Sequence, residues 1–284
     1  MNESNEVYLA TFTLFFTPEA DILMPRFTGN IVLSSLLVLI SKVDAKLAKR
    51  LHASKEVKPY SCTPIYPKSG EFRLPPKRSV THLRRSKVYQ VRMALITDTL
   101  IEKFMKAITN EASKEWALKF MGVRCPIINV SAHIRAFDEI KPKFLSELVK
   151  VRFLTPTRFA VKSTVRRPRP KFRLFPIPEN LFHSLVHHWN YFAPENLKIN
   201  ESQLYEYVLN YVVEDDYKIH RESVEIGKGR KAIGFIGYCT YRFDMLEHPM
   251  FKTCMKLLSY GELINVGNAK SMGLGVIRVE KFIK

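Results

Sequence analysis

Acidic residues are in short supply. The chain has 284 residues, with 27 Asp plus Glu against 45 Lys plus Arg, a formal charge of +18. An excess of that size repels itself, and polyanions are its usual partner because each cation placed on a phosphate releases a counterion. Long apolar runs are also missing. The longest, Ile31 to Ile40, is interrupted by Ser34 and Ser35, and roughly 20 apolar residues are needed to span a bilayer, so no membrane helix is expected. No basic amphipathic helix offers a membrane-surface alternative. The first residues carry Glu3 and Glu6 and no basic cluster, which argues against a secretory signal. Cysteines number four, at 62, 125, 239 and 254, and none has CxxC spacing. They read as reduced core residues of a cytoplasmic protein, with neither a disulfide framework nor a zinc site. No paired carboxylates stand at metal-binding spacing, which disfavours a magnesium-dependent nuclease, and no cofactor is called for. A Gly-x-Ser-x-Gly elbow and a cysteine nucleophile motif are absent too.

What is present is a core and a repeat. Hydrophobic residues make up 46% of the chain, which excludes disorder. Residues 7–16 read as a strand, and Gly29-Asn30 opens a helix that runs to about His52 with a break at Val43-Asp44. Strands are expected at 59–66 and 87–97. A helix capped by Asp98 covers about 99–115, followed by strand-like segments at 118–123 and 126–137. The second half repeats the order: a strand at 147–154, helices at 179–192 and 202–213, strands at 217–226 and 231–243, a helix at 247–260 and a strand at 275–283. Each half is a split βαβ unit, the second with one inserted helix. The fold class is therefore α+β, two tandem ferredoxin-like (βαββαβ) domains. The boundary falls near Lys141-Pro142-Lys143, giving domains 1–143 and 144–284. Such domains host many functions, so the fold decides little by itself.

Three features carry chemistry. The first is the stretch Asn265-Val266-Gly267-Asn268-Ala269-Lys270-Ser271-Met272-Gly273-Leu274-Gly275 between a helix and the last strand. Glycines permit positive φ and close backbone approach, so consecutive N–H groups could form an anion nest, with Lys270 adding a point charge. Gly267, Asn268, Lys270, Ser271, Gly273 and Gly275 are thus expected to contact phosphate. Neither a Walker loop nor a dinucleotide fingerprint has this context. The second feature is a pair of basic, proline-containing runs free of acids, Arg73–Arg92 and Arg158–Arg173. They stand in matching places of the two halves. Arg84, Arg85, Arg158, Arg166, Arg167 and Arg169 are expected to contact nucleic acid, since arginine in extended loops suits phosphate and RNA-groove contacts. The third is histidine. His183 and His187 stand at i,i+4 on one expected helix, next to His188, but no glutamate or third ligand completes a metal site. His52 ends a helix near Lys49, Arg50, Lys55 and Lys58. The helix C-terminus raises an imidazole pKa and the cations lower it, a balance suited to proton transfer.

Together these residues resemble the CRISPR-associated repeat-processing endoribonucleases of the RAMP superfamily. That family carries Gly-h-Gly (h hydrophobic), five residues, then Gly-h-Gly before the last strand. Here the pattern reads Asn265-Val266-Gly267, five residues, Gly273-Leu274-Gly275, with Asn265 in place of the first glycine. Archaeal-type members have Lys-Leu-Ala-x-x-Leu-His after an apolar helix, then a lysine six residues on. This chain has Lys46-Leu47-Ala48-Lys49-Arg50-Leu51-His52 and then Lys58. Phe153-Leu154-Thr155-Pro156-Thr157 resembles the opening of the family's second domain, and Arg230 to Tyr238 its hairpin strand. The resemblance implies a metal-independent endoribonuclease that cuts CRISPR repeat RNA by attack of the RNA's own 2′-OH. The ends would be a 2′,3′-cyclic phosphate and a 5′-OH. It implies catalytic roles for His52 and Lys58, with Arg230 and Lys231 as the cationic pair some members use instead. The family's third catalytic residue, a tyrosine, maps to Leu37, and Tyr60 stands near in sequence. The implied partner is repeat RNA or the finished crRNA, with effector-complex subunits and a homodimer left open and no membrane. Two alternatives remain at this point: a non-cleaving RAMP subunit that binds guide RNA in an effector complex, and a general RNA-binding protein of translation or RNA modification.

Overall fold

A computed structural model describes residues 7–54, 56–109, 117–161, 170–227 and 229–282. In the first half the elements are β1 (Tyr8–Phe16), β2 (Ile22–Met24), α1 (Gly29–Val43), α2 (Ala45–Ala53), β3 (Tyr60–Cys62), β4 (Tyr66–Pro67), β5 (Thr81–Leu83), β6 (Tyr89–Ile96), α3 (Asp98–Thr109), β7 (Ala117–Phe120) and β8 (Val123–Ala136). In the second half they are β9 (Leu148–Thr157), β10 (Phe159–Ala160), β11 (Phe172–Arg173), α4 (Pro178–Phe192), α5 (Glu201–Tyr211), β12 (Val212–Glu225), β13 (Lys231–Phe243), α6 (Pro249–Ile264) and β14 (Ile277–Lys281). Short 3₁₀ turns lie at Glu195–Leu197 and Lys270–Met272.

The two large sheets share one topology. The first runs β3-β6-β1-β8-β7 and the second β12-β13-β9-β14. Counting the four strands of each βαββαβ unit in chain order, both read second, third, first, fourth. The α+β class with two ferredoxin-like units, expected from the alternation of strand and helix periods, is thus borne out. Strand periodicity decides which face packs where. On β6, Val91, Met93 and Leu95 enter the core beneath α1, α2 and α3, whereas Ala94 and Ile96 point the other way. With Leu9 they join Phe137, Ile140, Trp189 and Tyr260 in the core of the second half. The back of the first sheet therefore packs on the second half.

The expected helix break is real. Asp44 leaves helical geometry (φ −149°, ψ 91°), and its Oδ1 accepts a hydrogen bond from Leu47 N at 2.8 Å. Its backbone N–H closes α1 on Ile40 O at 2.8 Å, and its side chain caps α2. Several differences from the sequence reading are physical. The expected strand at 59–66 is split into β3 and β4, because Pro64 lies between them and proline cannot donate to a ladder. The helix expected to 213 stops at Tyr211, and β12 starts at Val212, five residues earlier than expected. Val212 pairs with Phe243, so the ladder captures it. The small β2–β5 pair was not anticipated; three residues are too few to show a period.

All four cysteines are free and buried, as expected. Burial pushes the Cys62 and Cys239 thiols up to about 12, so they are inert as nucleophiles. Among the described residues, no helix is long and apolar enough to cross a membrane.

Candidate functional site

The glycine-rich loop closes onto the first half of the chain. Asn265 ends α6 with φ 63° and ψ 171°, a conformation that non-glycine residues seldom adopt. Its side chain offsets that strain: Nδ2 donates to Cys62 O at 2.8 Å and to Lys270 O at 3.3 Å. Cys62 Sγ in turn donates to Ser271 O at 3.1 Å. Gly29, the first residue of α1, lies so close to the loop that an added Cβ would sit 2.0 Å from Met272 O. The seam between the halves is therefore sealed by backbone contact.

Four of the loop's amides are committed inside the protein rather than to an anion nest. Gly267 N donates to Ser184 Oγ at 2.8 Å, Asn268 N to Arg158 O at 2.9 Å, Gly273 N to Lys270 O at 3.1 Å and Gly275 N to Pro156 O at 3.3 Å. Those donors are spent inside the protein. The glycines serve close approach instead: at Gly275 (φ 70°) a Cβ would meet Val266 O at 1.8 Å. The result is to hold Lys270 at the rim of a cavity between the halves.

That cavity, about 340 Å³, is walled by Lys58 and Tyr60 after α2, by Asn180, His183 and His187 on α4, and by Lys270 on the loop; Gly267, Asn268 and Ser271 also line it. Lys58 Nζ donates to Leu51 O at 2.5 Å and Ser54 O at 2.6 Å, closing the C-terminus of α2, and burial lowers its pKa. Tyr60 donates its OH to Leu51 O at 3.2 Å, and burial pushes the phenol up to about 12. Lys270 has no hydrogen-bond acceptor and no carboxylate partner among the described residues, and burial pushes its ammonium down to about 7. His188 lies beneath the wall. Its Nδ1 meets Tyr260 Oη at 2.8 Å and its Nε2 faces Lys58 O at 3.4 Å. Tyr260 holds its proton, since burial raises its pKa. The phenol therefore donates to Nδ1, and Nε2 carries the hydrogen toward the carbonyl. Burial and the nearby Lys270 keep this ring neutral.

The remaining expected site residues fall in four places. His52 is exposed on the last turn of α2, next to Leu51, whose carbonyl Lys58 holds; it does not line the cavity. Arg230 and Lys231 are exposed at the base of the β12–β13 turn. Lys231 borders a different groove, with Arg26, Lys77, Arg78 and Arg221, so the structure does not bring this pair to Lys58. Arg158 is turned inward: its guanidinium donates to Asn268 Oδ1 at 3.3 and 3.1 Å and lies 4.0 Å from the centre of the Phe172 ring. It holds the loop. Arg84 and Arg85 are exposed after β5, where Tyr89 Oη and Asp21 Oδ1 accept from their backbone amides at 2.8 Å. Arg166, Arg167 and Arg169 lie outside the described residues, as do Lys55 and Lys228. Leu37 packs into the first core. His183 and His187, weighed from sequence only as metal ligands, face the cavity with rings 6.1 Å apart and nearly parallel. Their i,i+4 spacing was the signal; what it lacked was the loop that faces them. Among the described residues no group of three or more His, Cys, Asp or Glu could hold a metal ion.

Two ferredoxin-like units in tandem meet at this basic cavity, and the glycine-rich loop closes over it. Residues 151–277 match the family described as CRISPR-associated endoribonuclease Cas6. The structure is similar to a Cas6 product complex, with a TM-score of 0.72, 22% identity and coverage of 96% of this chain and 100% of that one. It is also similar to a Thermus thermophilus Cas6 (TM-score 0.68, 20% identity, 96% and 99% covered). A third likeness is to the product of a Cas6-related gene from Pyrococcus furiosus (TM-score 0.60, 12% identity, 96% and 98% covered). No match to a curated protein was found. The family resemblance drawn from the sequence is borne out: the second half carries the Cas6 sequence pattern, and the Cas6 fold extends over both halves.

Proposed function

We propose that this protein is a CRISPR repeat RNA endoribonuclease that works without a metal, using residues from both its domains, 1–143 and 144–284. One observation carries the reading. Lys58, beside the turn that bears His52, and Lys270 of the glycine-rich loop line one cavity at the seam of the two halves. In the proposed reaction the RNA's 2′-oxygen attacks the adjacent phosphorus. The bond from 2′-O to P forms, the bond from P to the 5′-O breaks, and the 2′-OH proton is taken up while the leaving 5′-oxygen gains one. His52 is the proton-transfer group, and Lys58 is the fixed cation that stabilises charge building on the phosphate. The nucleophile belongs to the substrate, which is why no protein nucleophile is needed. The exposed Arg84 and Arg85 hold flanking phosphates.

The test is cleavage of labelled repeat RNA in EDTA, beside the same RNA with a single 2′-deoxy at the cut site. Cutting in EDTA that the deoxy abolishes supports the mechanism. Cutting of both RNAs would exclude 2′-OH attack. A second reading has an observation of its own. His52 is exposed with no hydrogen-bond partner among the described residues, and Leu37 brings no hydroxyl. A guide-RNA-binding subunit that does not cut would tolerate both. One similar structure is described as a RAMP protein binding different RNA substrates. Tight binding with no cleavage would favour that role.

A further inference from the structure

We infer that the cavity at the seam is a phosphate subsite of which α4 forms one wall, with His187, His183 and Asn180 facing Lys270 and Lys58. The inference rests on the RNA reading above and deepens it by adding the α4 residues Asn180, His183 and His187 to the phosphate-holding wall.

The donor inventory points to an anion. Lys270 brings three N–H donors with no acceptor among the described residues. Lys58 brings a third donor after giving two to carbonyls. Asn180 Nδ2 is buried with no hydrogen-bond partner and lines the same space. A buried donor left unpaired costs free energy, and an oxygen-rich ligand would relieve it. His183 and His187 add two rings that line the same space. The opposing inventory is small: among the described residues, Glu56 is the one carboxylate lining the cavity. His188 cannot compete for the anion, because both its nitrogens are engaged within the protein. At about 340 Å³ the space suits a small ligand rather than a helix.

The phosphate has two sources with one chemistry: a phosphodiester of the intact strand, or the phosphate left at a cut 3′ end. Ring ¹⁵N signals of the histidines, assigned through His183→Gln and His187→Gln, are followed at about pH 6.5, where imidazole titrates. The probes are inorganic phosphate, adenosine 3′-monophosphate and repeat RNA with a 2′-deoxy cut site. Both rings should move with inorganic phosphate. A response to the uncut RNA assigns the site to the phosphodiester, and a response to the 3′-monophosphate alone assigns it to the product end. Lys270→Met and His187→Asn should each weaken the 2′-deoxy RNA about tenfold, and Lys270→Met should abolish the response to phosphate. Unmoved rings with all three probes in the wild-type protein would overturn the inference, whatever the variants do. A wild-type protein whose rings respond to phosphate but which neither binds nor cuts repeat RNA would overturn the functional reading and leave the subsite standing.

Discussion

At the scale of the residue, Asn265 is the most informative position. The family pattern has glycine there, and this chain has asparagine. The structure adds a role that spacing could not reveal, because the bond to Cys62 O joins residues 203 apart in sequence. Asn265→Ala keeps the strain and removes both bonds, whereas Asn265→Gly removes the bonds and the strain. The alanine variant should therefore be less stable than the glycine variant by about 1–3 kcal/mol; equal denaturation midpoints would refute that account. His52 was legible from its helix end and the lysine six residues on, yet its exposure was not. If His52 is the proton-transfer group, His52→Ala should slow cleavage by roughly 10²–10⁴-fold and leave binding nearly unchanged. Comparable cleavage by the variant would remove it from the mechanism.

Among the elements, those with a long period were legible and those made by pairing were not. α1, α4 and β6 fall within a few residues of expectation because each shows several turns or alternations. β2 and β5 exist through each other, and the split of β3 from β4 follows the local chain around Pro64. The glycine-rich loop was recognised, but not which of its amides are used inside the protein. Glycine spacing reports where backbone must come close, and it does not report which partner satisfies the amides. Gly29 and α1 supply the clearest test. Gly29→Ala drives a Cβ into Met272 O, and overpacking of this kind costs about 1–3 kcal/mol. The substitution should lower the thermal midpoint and cleavage together. Cleavage unchanged at full stability would mean that the seam is not needed for activity.

For the whole molecule, charge was the first clue and remains the most general one. Binding of repeat RNA should weaken with salt, with a slope in log K against log salt of about −0.7 for each phosphate neutralised on a single strand. Arg84→Ala with Arg85→Ala should make that slope shallower by about 1.4; an unchanged slope would exclude both from the RNA path. Protons should follow as well. Partial burial at the cavity rim pushes the Lys270 ammonium down to about 7, below the usual 10.5, so the folded protein holds fewer protons than the unfolded chain between those values. Its burial penalty is complete below about 7 and is relieved as pH rises toward 10.5, so this group makes stability rise with pH across that window. A bound phosphate would restore the proton. Among the described residues the groups facing it are Lys58, His183, His187 and the neutral His188, with Glu56 the sole carboxylate. RNA binding near pH 8 should therefore take up a proton, seen as a binding heat that depends on the buffer's ionisation enthalpy and is lost in Lys270→Met.

The loop that seals the seam lies at residues 265–275, close to the last strand, whereas Lys58 and His52 come early in the chain. During synthesis the first sheet can form while the far wall of its cavity is still inside the ribosome. A polypeptide stopped short of Lys270 lacks the cation opposite α4 and the contacts that fasten Cys62 and Gly29. The order of the chain thus means that the cavity is completed last, and a product of translation that stops short of the loop lacks its far wall.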